Sequence, residues 1–557
     1  MKATITLKPL SLLNATHAAS TIRRADLCNL GLLLLAFASV LALVVPARTY
    51  PMIDDWAYAR SVEGLLNGVF TPHDYTEANA FGHNVLALLF VVPFGFSFTT
   101  LSAATLFMSG TCLAAFYILL RHLDVRPTPA LWGTALLGFN PFYLHLSYSF
   151  MTDVTFLAYL LLGCLGYVRG MKGHGEGWLW LGAIATILSL LTRQFGILLV
   201  PAALAYLWWS HNWTWRRALA IALLPALVMV AYVLWGRTLP VRLVTMRVEE
   251  QQAYAIQHLA QYVTWRAQTF VWSLSLVGLC LLPIVRLPRR PLLALPIFGF
   301  FLLFQVITIQ STGSILPQNG NIINNSGLQL FYYYAAPIWP EWVWLLLGIA
   351  SSLVAALLIT TCLESLWAWL RSRPWRVRER DPALILYLLG LMMFGTTLVF
   401  ATYLFDRYWL PLFPIIIAAT IRRLGPSTGV EQPTRRQWQW ALLVPLALFS
   451  LFAQRDFQEH ATARWHGAEQ LAAQGIPRQQ IDAGYEWAGW YLYDEGAAYL
   501  RAERKFVDIP FPGYALLDPV YLVSDIQVPG YAQVGSLRYT SWLNAGQERR
   551  VLLLKRE

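Results

Sequence analysis

Charge is what this 557-residue sequence has least of. Only 13% of it is Asp, Glu, Lys or Arg, about half the share a soluble chain of this size carries. With 57% apolar residues and a mean hydropathy of +0.49, that scarcity excludes disorder, a collagen-like chain and an ordinary cytosolic enzyme. Cysteine is scarce as well. Cys28, Cys112, Cys164, Cys280 and Cys362 all sit in or at the ends of apolar runs, and none stands in CxxC spacing. A disulfide framework and a cysteine metal site are therefore excluded, and buried packing is the reading. The sequence has no Walker loop, no HExxH pair and no GxSxG elbow, so it gives no sign of ATP drive, zinc proteolysis or serine hydrolysis. It shows no repeat at a fixed period. It also lacks a matched pair of broken helices in two halves, the pointer to a secondary transporter.

What is present is a series of long apolar runs, such as LGLLLLAFASVLALVV. A barrel would show alternating segments of about ten residues, so the fold class is a polytopic α-helical membrane protein. Thirteen spans are predicted, at about 27–46, 98–120, 129–146, 153–168, 178–192, 195–209, 218–236, 269–285, 291–308, 341–369, 383–403, 409–421 and 438–453. The fifth, sixth and twelfth fall short of the ~20 residues a full crossing needs. With the N-terminus in the cytoplasm, 22 of the 41 basic residues fall in seven short inner segments, each holding at least two. The net charge of +11 thus reads as orientation rather than as a nucleic-acid site. The first run is too long for a signal h-region of 7–15 residues and is expected to be an uncleaved anchor.

Three regions follow from this topology: a cytoplasmic segment at 1–26, a transmembrane domain at 27–453 and an extracytoplasmic domain at 454–557. The transmembrane domain includes a large first outer loop at 47–97. The tail shows a helical pattern at 457–474 and then short β-like runs, YLVSD, GSLRYTSW and RVLLL, between Gly and Pro. It is expected to be a small α/β domain. Function at a membrane face belongs on the outer side, where the long loops are.

The polar residues that could carry chemistry collect at the outer ends of the spans. Asp54 and Asp55 follow the first span in YPMIDDWAYARSVEGLLNG, ahead of a stretch, Trp56 to Leu66, that suits an amphipathic interfacial helix. One of two adjacent carboxylates could act as a proton acceptor near neutrality; alternatively the pair is a helix cap and a solvated acid. His83 opens an apolar stretch too short to cross, a re-entrant or interfacial segment. Asp153 begins the fourth span, as an N-cap with Thr152 or as a second acid lining the same cavity as Asp54. Arg193, followed by Gln194, interrupts the apolar pattern between the fifth and sixth spans; its partner is either Asp153 or a ligand phosphate. Arg407 lies in FDRYWLPLFP, where it is either neutralised by Asp406 or clamps a phosphate with its planar fork. Beside it, Tyr408 and Trp409 suit an aromatic belt or a sugar-stacking surface. Asn319, Asn321, Asn324, Asn325 and Gln329 occupy an uncharged loop, as binders of hydroxyls or as turn formers.

Taken together, the acid pair after the first span, the basic residue before a short apolar helix, the acid opening the fourth span, the LTRQ turn and the RYxLPxxP turn resemble a known set. They are similar to the membrane glycosyltransferases that use polyprenyl-phosphate sugars, among them dolichyl-phosphate-mannose protein mannosyltransferases and lipid A aminoarabinose transferases. The resemblance covers roughly residues 25–425, and GYEWAGWYLYDEG looks like tails of bacterial members. It implies an inverting transfer on the outer face of a bacterial cytoplasmic membrane, from a polyprenyl-phosphate sugar to a hydroxyl of a lipid, glycan or protein acceptor. By the same resemblance Asp54 is the base, with Asp55 its competitor. His83, Arg193 and Arg407 hold the donor phosphate, and Asp153, Gln194 and Tyr408 contact substrate. No cofactor is required on this reading. Asp54, Asp55 and Asp153 form the one grouping that could take a divalent cation, Mg or Mn. A lipid-linked oligosaccharide ligase or polymerase, and a lipid or polysaccharide transporter, are the alternatives.

Overall fold

The computed structural model describes residues 24–44, 47–76, 78, 80–239, 253, 256–285, 287–312, 322–328, 336–371, 381–400, 404–422, 433–503 and 511–557. The chain opens with α1 (Arg24–Leu43), and α2 (Asp55–Leu66) and α3 (Phe81–Phe94) follow before the next long apolar helix. There follow α4 (Phe98–His122), α5 (Pro127–Gly138), α6 (Pro141–Tyr148), α7 (Thr152–Met171), α8 (Gly177–Thr192), α9 (Leu199–Trp209), α10 (Trp215–Gly236), α11 (Leu259–Gly278) and α12 (Ala294–Thr312). A hairpin of β1 (Ile323–Asn324) and β2 (Gly327–Leu328) precedes α13 (Glu341–Arg371), α14 (Leu384–Phe400), α15 (Leu412–Arg422) and α16 (Pro433–Ala473). The tail holds β3 (Ile481–Asp482), α17 (Tyr485–Glu503), β4 (Tyr521–Ser524), β5 (Tyr531–Ser541) and β6 (Gln547–Arg556).

Among the described residues, seven helices are long and apolar enough to cross a membrane, and five shorter apolar helices of 10–17 residues accompany them. The shorter ones include the fifth, sixth and twelfth expected spans. The third expected span, 129–146, is two helices. Pro141 has no N–H to continue α5, and the Asn140 carboxamide oxygen instead accepts from the Phe142 N–H at 3.0 Å to start α6. Polytopic helical architecture is thus as expected, with one span broken where the sequence places Asn-Pro.

Two features of the bundle position the polar residues at its helix ends. α7 and α8 approach so closely that a Cβ on Gly166 would stand 2.6 Å from the Gly182 Cα. Because they form an antiparallel hairpin, the first turn of α7 and the residue after α8 end at the same level, which brings Asp153 beside Arg193. In the tail, a four-stranded sheet of order β3-β4-β6-β5 forms, parallel between β3 and β4 and antiparallel elsewhere. The three β-like runs of the sequence all lie in it. α16 continues as one helix past residue 453 to Ala473, and Gly467 sits against the side chains of Leu553, Leu537 and Val523 on the sheet. α17 lies over α2: Trp56 and Ala57 pack with Ala488, Tyr493, Ala497 and Phe511. The interfacial helix read from the sequence forms, and its Trp56 face is covered by the tail domain.

Candidate active site

Asp54 occupies the N-cap position of α2, but its side chain caps no backbone N–H. The residue before it, Ile53, is buried with φ +52°. That is a strained conformation for a β-branched side chain, and it turns the chain sharply just ahead of Asp54. The freed carboxylate makes two long-range contacts instead. Oδ2 receives Arg407 Nη2 at 3.3 Å, and Oδ1 accepts from the Tyr485 hydroxyl at 2.5 Å. Its side chain remains 23% exposed.

Asp55 is a different kind of residue. It is fully buried, ion-paired to Arg48, and accepts from the backbone N–H of Phe150 at 2.8 Å and of Met52 at 3.3 Å. Arg48 in turn donates to Ser102 Oγ at 2.9 Å and to the Tyr50 carbonyl at 2.6 Å. The pair is a buried strut between the first loop, α4 and the α6–α7 turn, with its hydrogen-bonding capacity turned inward.

Arg407 stands in a single 3₁₀ turn, 406–409, and its side chain is 6% exposed. The Asp406 carboxylate accepts from the backbone N–H groups of Ile322 and Ile323 at 3.0 Å, and of Arg407 itself at 2.8 Å. It thereby pins the β1 loop to this turn. Arg407 Nε and Nη1 have no hydrogen-bond partner among the described residues. A buried guanidinium with idle donors is costly unless an acceptor arrives. The carboxylates of Asp153 and Asp54 both act on it electrostatically. Tyr408 lies between the two arginines, its ring centre 5.6 Å from the Arg407 guanidinium and 6.0 Å from that of Arg193.

Arg193 grips the start of α7 with its fork: Nη2 to Asp153 Oδ2 at 2.9 Å and Nε to Thr152 Oγ1 at 2.8 Å. Of the two partners left open by the sequence, Asp153 is the one in place. Gln194 Nε2 donates to the Tyr232 hydroxyl at 3.0 Å, at the exposed edge of the group. His83 is fully buried and stacked on Phe150 at 4.2 Å. Its Nε2 lies 3.1 Å from the Phe150 carbonyl and its Nδ1 3.0 Å from Thr155 Oγ1, so both nitrogens are engaged within the fold. In the uncharged loop, Asn324 accepts from the Ser326 N–H at 2.9 Å, a turn-forming contact; Asn319, Asn321 and Gln329 lie outside the described residues.

Two tyrosines complete the group, and sequence reading missed both. Tyr58 is one helical turn after Asp54, so both lie on one face of α2. It is buried, and burial pushes its hydroxyl up to about 12, with Arg193, Asp54, Arg407 and Asp153 all acting on it. The i, i+4 spacing from Asp54 was the available signal. Tyr485 comes from the tail, 431 positions away, and no local pattern could have placed it there. Among the described residues no three His, Cys, Asp or Glu side chains gather into a group that could hold a metal ion. Asp54, Asp55 and Asp153 are each paired with a separate arginine.

Residues 80–235 match the family model described as dolichyl-phosphate-mannose-protein mannosyltransferase. This bears out the resemblance to polyprenyl-phosphate-sugar glycosyltransferases, which are enzymes, over the segment that carries His83, Asp153, Arg193 and Gln194. Asp54, Arg407 and Tyr408 lie outside it. A search of curated proteins finds no match. Among solved structures, the chain is similar to Cupriavidus metallidurans ArnT bound to undecaprenyl phosphate, at 14% identity over 94% of this chain and 98% of that one, TM-score 0.45. It is similar to the Archaeoglobus fulgidus oligosaccharyltransferase AglB in complex with an inhibitory peptide and a dolichol-phosphate, at 13% identity over 95% and 74%, TM-score 0.43. It also matches the S. cerevisiae protein O-mannosyltransferase complex bound to the sugar donor, at 11% identity over 42% of this chain, TM-score 0.34; there it spans about a third, 34%, of the matched chain.

Proposed function

We propose that this chain is a membrane glycosyltransferase that moves a sugar from a polyprenyl-phosphate carrier to an acceptor hydroxyl at the outer membrane–water boundary, with Asp54 as general base and Arg407 at the donor phosphate. One observation carries the reading. A partly exposed carboxylate sits 3.3 Å from a buried guanidinium that has two donors to spare. A base and an anion receptor side by side are what displacement of a phosphate by a hydroxyl requires.

The acceptor oxygen attacks the anomeric carbon as the carbon–oxygen bond to phosphate breaks. The electron pair of that bond goes to the phosphate oxygen, where Arg407 Nε and Nη1 meet the growing charge. The hydroxyl proton goes to Asp54, a step typically worth about 10²–10⁴-fold. A single displacement inverts the anomeric centre. Arg193 and Tyr408 flank the phosphate position, and Asp153 holds Arg193 in place. Asp55 is assigned a structural role, because its acceptor sites already face Arg48 and two backbone N–H groups. The positive charge comes from arginines; the carboxylates that a divalent ion would need are already matched to guanidinium groups. His83 supports the Phe150 segment rather than reaching the phosphate.

The test is a transfer assay in detergent with a panel of labelled undecaprenyl-phosphate sugars and a membrane and envelope-glycan extract as acceptor, following released undecaprenyl phosphate. Asp54→Asn should remain folded and lose activity by about 10²–10⁴-fold. Full activity in that variant would falsify the base assignment, and a strict need for a pyrophosphate donor would move the chain to the ligase class.

A further inference from the structure

Beyond the base itself, we propose that the tail domain completes the active site through Tyr485, a positioning residue whose hydroxyl orients the Asp54 carboxylate. The inference rests on the base assignment above and deepens it.

The geometry is specific. Tyr485 is the first residue of α17 and follows Gly484, which has φ +94°. That left-handed turn, closed by the Gly484 N–H on Asp482 Oδ1 at 2.9 Å, starts the helix just where its first side chain reaches Asp54. The Tyr485 hydroxyl donates to Oδ1 while Arg407 holds Oδ2. The carboxylate is therefore gripped at both oxygens by groups from two separate elements, the 406–409 turn and α17, and its rotation is fixed. The Tyr75 and Tyr485 rings are neighbours, 6.3 Å between centres. Burial first, and then the Asp54 carboxylate, hold the Tyr485 hydroxyl well above its ordinary range, so it remains a donor throughout the physiological pH range.

α17 is anchored firmly enough to do this. Arg60 of α2 donates to the Trp490 carbonyl at 2.9 Å and lies over the Trp490 ring at 3.9 Å. Asp74 pairs with Arg501 at 2.8 Å and accepts from Tyr493 at 3.3 Å. His73 meets Asp494 at 3.1 Å, and Trp56 fills the space between. The first outer loop and the tail thus form one rigid mount for the carboxylate.

The charged and titratable groups facing Asp54 are Arg407 from the 406–409 turn, Tyr58 from its own helix and Tyr485 from α17. Asp153 and Arg193 stand behind them, and Asp55 is turned away toward Arg48. Removing one donor from an ionised carboxylate makes it easier to protonate. In Tyr485→Phe, which keeps the ring, the acid limb of kcat/KM should move up by roughly one pH unit, with kcat down about tenfold.

A second readout needs no substrate. The pH dependence of carbodiimide labelling at Asp54, followed by mass spectrometry on the full chain in detergent, should shift by the same amount. An Asp54→Asn variant that stays active ends the base reading but leaves this labelling shift as a test of the Tyr485 contact. A limb and a labelling profile both unmoved by Tyr485→Phe overturn the inference, as does a gain in activity, which would mean that Tyr485 occupies the acceptor hydroxyl's place.

Discussion

Arg407 meets Asp54 across 353 positions of the chain, Nη2 to Oδ2 at 3.3 Å, and does so with Nε and Nη1 still idle. An arginine whose role was only to neutralise Asp54 would need no more than one face of its fork. On the proposed reading the idle donors take the donor phosphate as a second anion, and Asp54 keeps the guanidinium in place until it comes.

Undecaprenyl phosphate should therefore bind the Arg407→Ala variant about 10- to 100-fold more weakly, the range of one or two lost hydrogen bonds to a charged group. Arg407→Lys keeps the charge but loses the planar fork and should recover only part of the affinity. Equilibrium binding of labelled undecaprenyl phosphate in detergent measures both, and equal affinity in all three proteins would remove Arg407 from the phosphate position.

Asp54 and Asp55 should separate by stability. Asp55→Asn leaves Arg48 buried without a counter-charge and should cost about 3 kcal/mol, read as a lower melting temperature in detergent. Asp54→Asn, at a partly exposed site, should change stability by no more than about 1 kcal/mol. Equal melting temperatures for the two would mean that Asp55 is not the buried strut described above.

Gly489 should tolerate no side chain. A Cβ there would stand 2.5 Å from Trp56 Cε2, and Trp56 is fully buried with nowhere to move. Gly489→Ala is expected to destabilise the α2–α17 contact by about 1–3 kcal/mol and to slow transfer, although it touches neither Asp54 nor Arg407. Gly177→Ala, where a Cβ meets nothing within 4 Å, is the comparison that should leave both unchanged.

Acid should loosen the tail domain. Burial works against the charge on Asp525, but the His460 imidazole at 2.8 Å, the Ala336 N–H and Arg549 outweigh it and hold the Asp525 carboxyl below the ordinary carboxylate range. Asp456 and Tyr539 are the other titratable groups around this pair. A depressed carboxyl stabilises the fold above its unfolded value, about 3.9, and that stability is lost as pH falls through the folded value. Melting curves between pH 3 and 7 should show a steep acid fall that is flatter in Asp525→Asn, with a lower plateau at neutrality. Parallel curves would contradict the assignment.

Much of the molecule was written in its amino-acid order. The apolar runs dictated helices, because a backbone in hydrocarbon must satisfy its own hydrogen bonds. The amphipathic stretch after Asp55, the short apolar helix at His83 and the β-like runs of the tail all formed where the pattern put them. The Asn140–Pro141 break was also legible, since proline cannot continue a helix, but the length of the apolar run obscured it.

Local pattern could not choose between partners. Asp54 and Asp55 are neighbours of the same chemistry, and only the turn at Ile53 sends one toward Arg407 and the other toward Arg48. Asp406 accepts from the backbone N–H of Arg407, its neighbour in the chain, and also bonds the Ile322 loop, because a carboxylate also takes the donors that folding brings to it. Tyr485 reaches Asp54 from the far end of the protein through the docking of α17 on Trp56. Sequence set the secondary structure and the membrane-facing surfaces through short-range periodicity and transfer energy. The pairing of charges across hundreds of residues was decided by packing, the only term that depends on the whole chain at once.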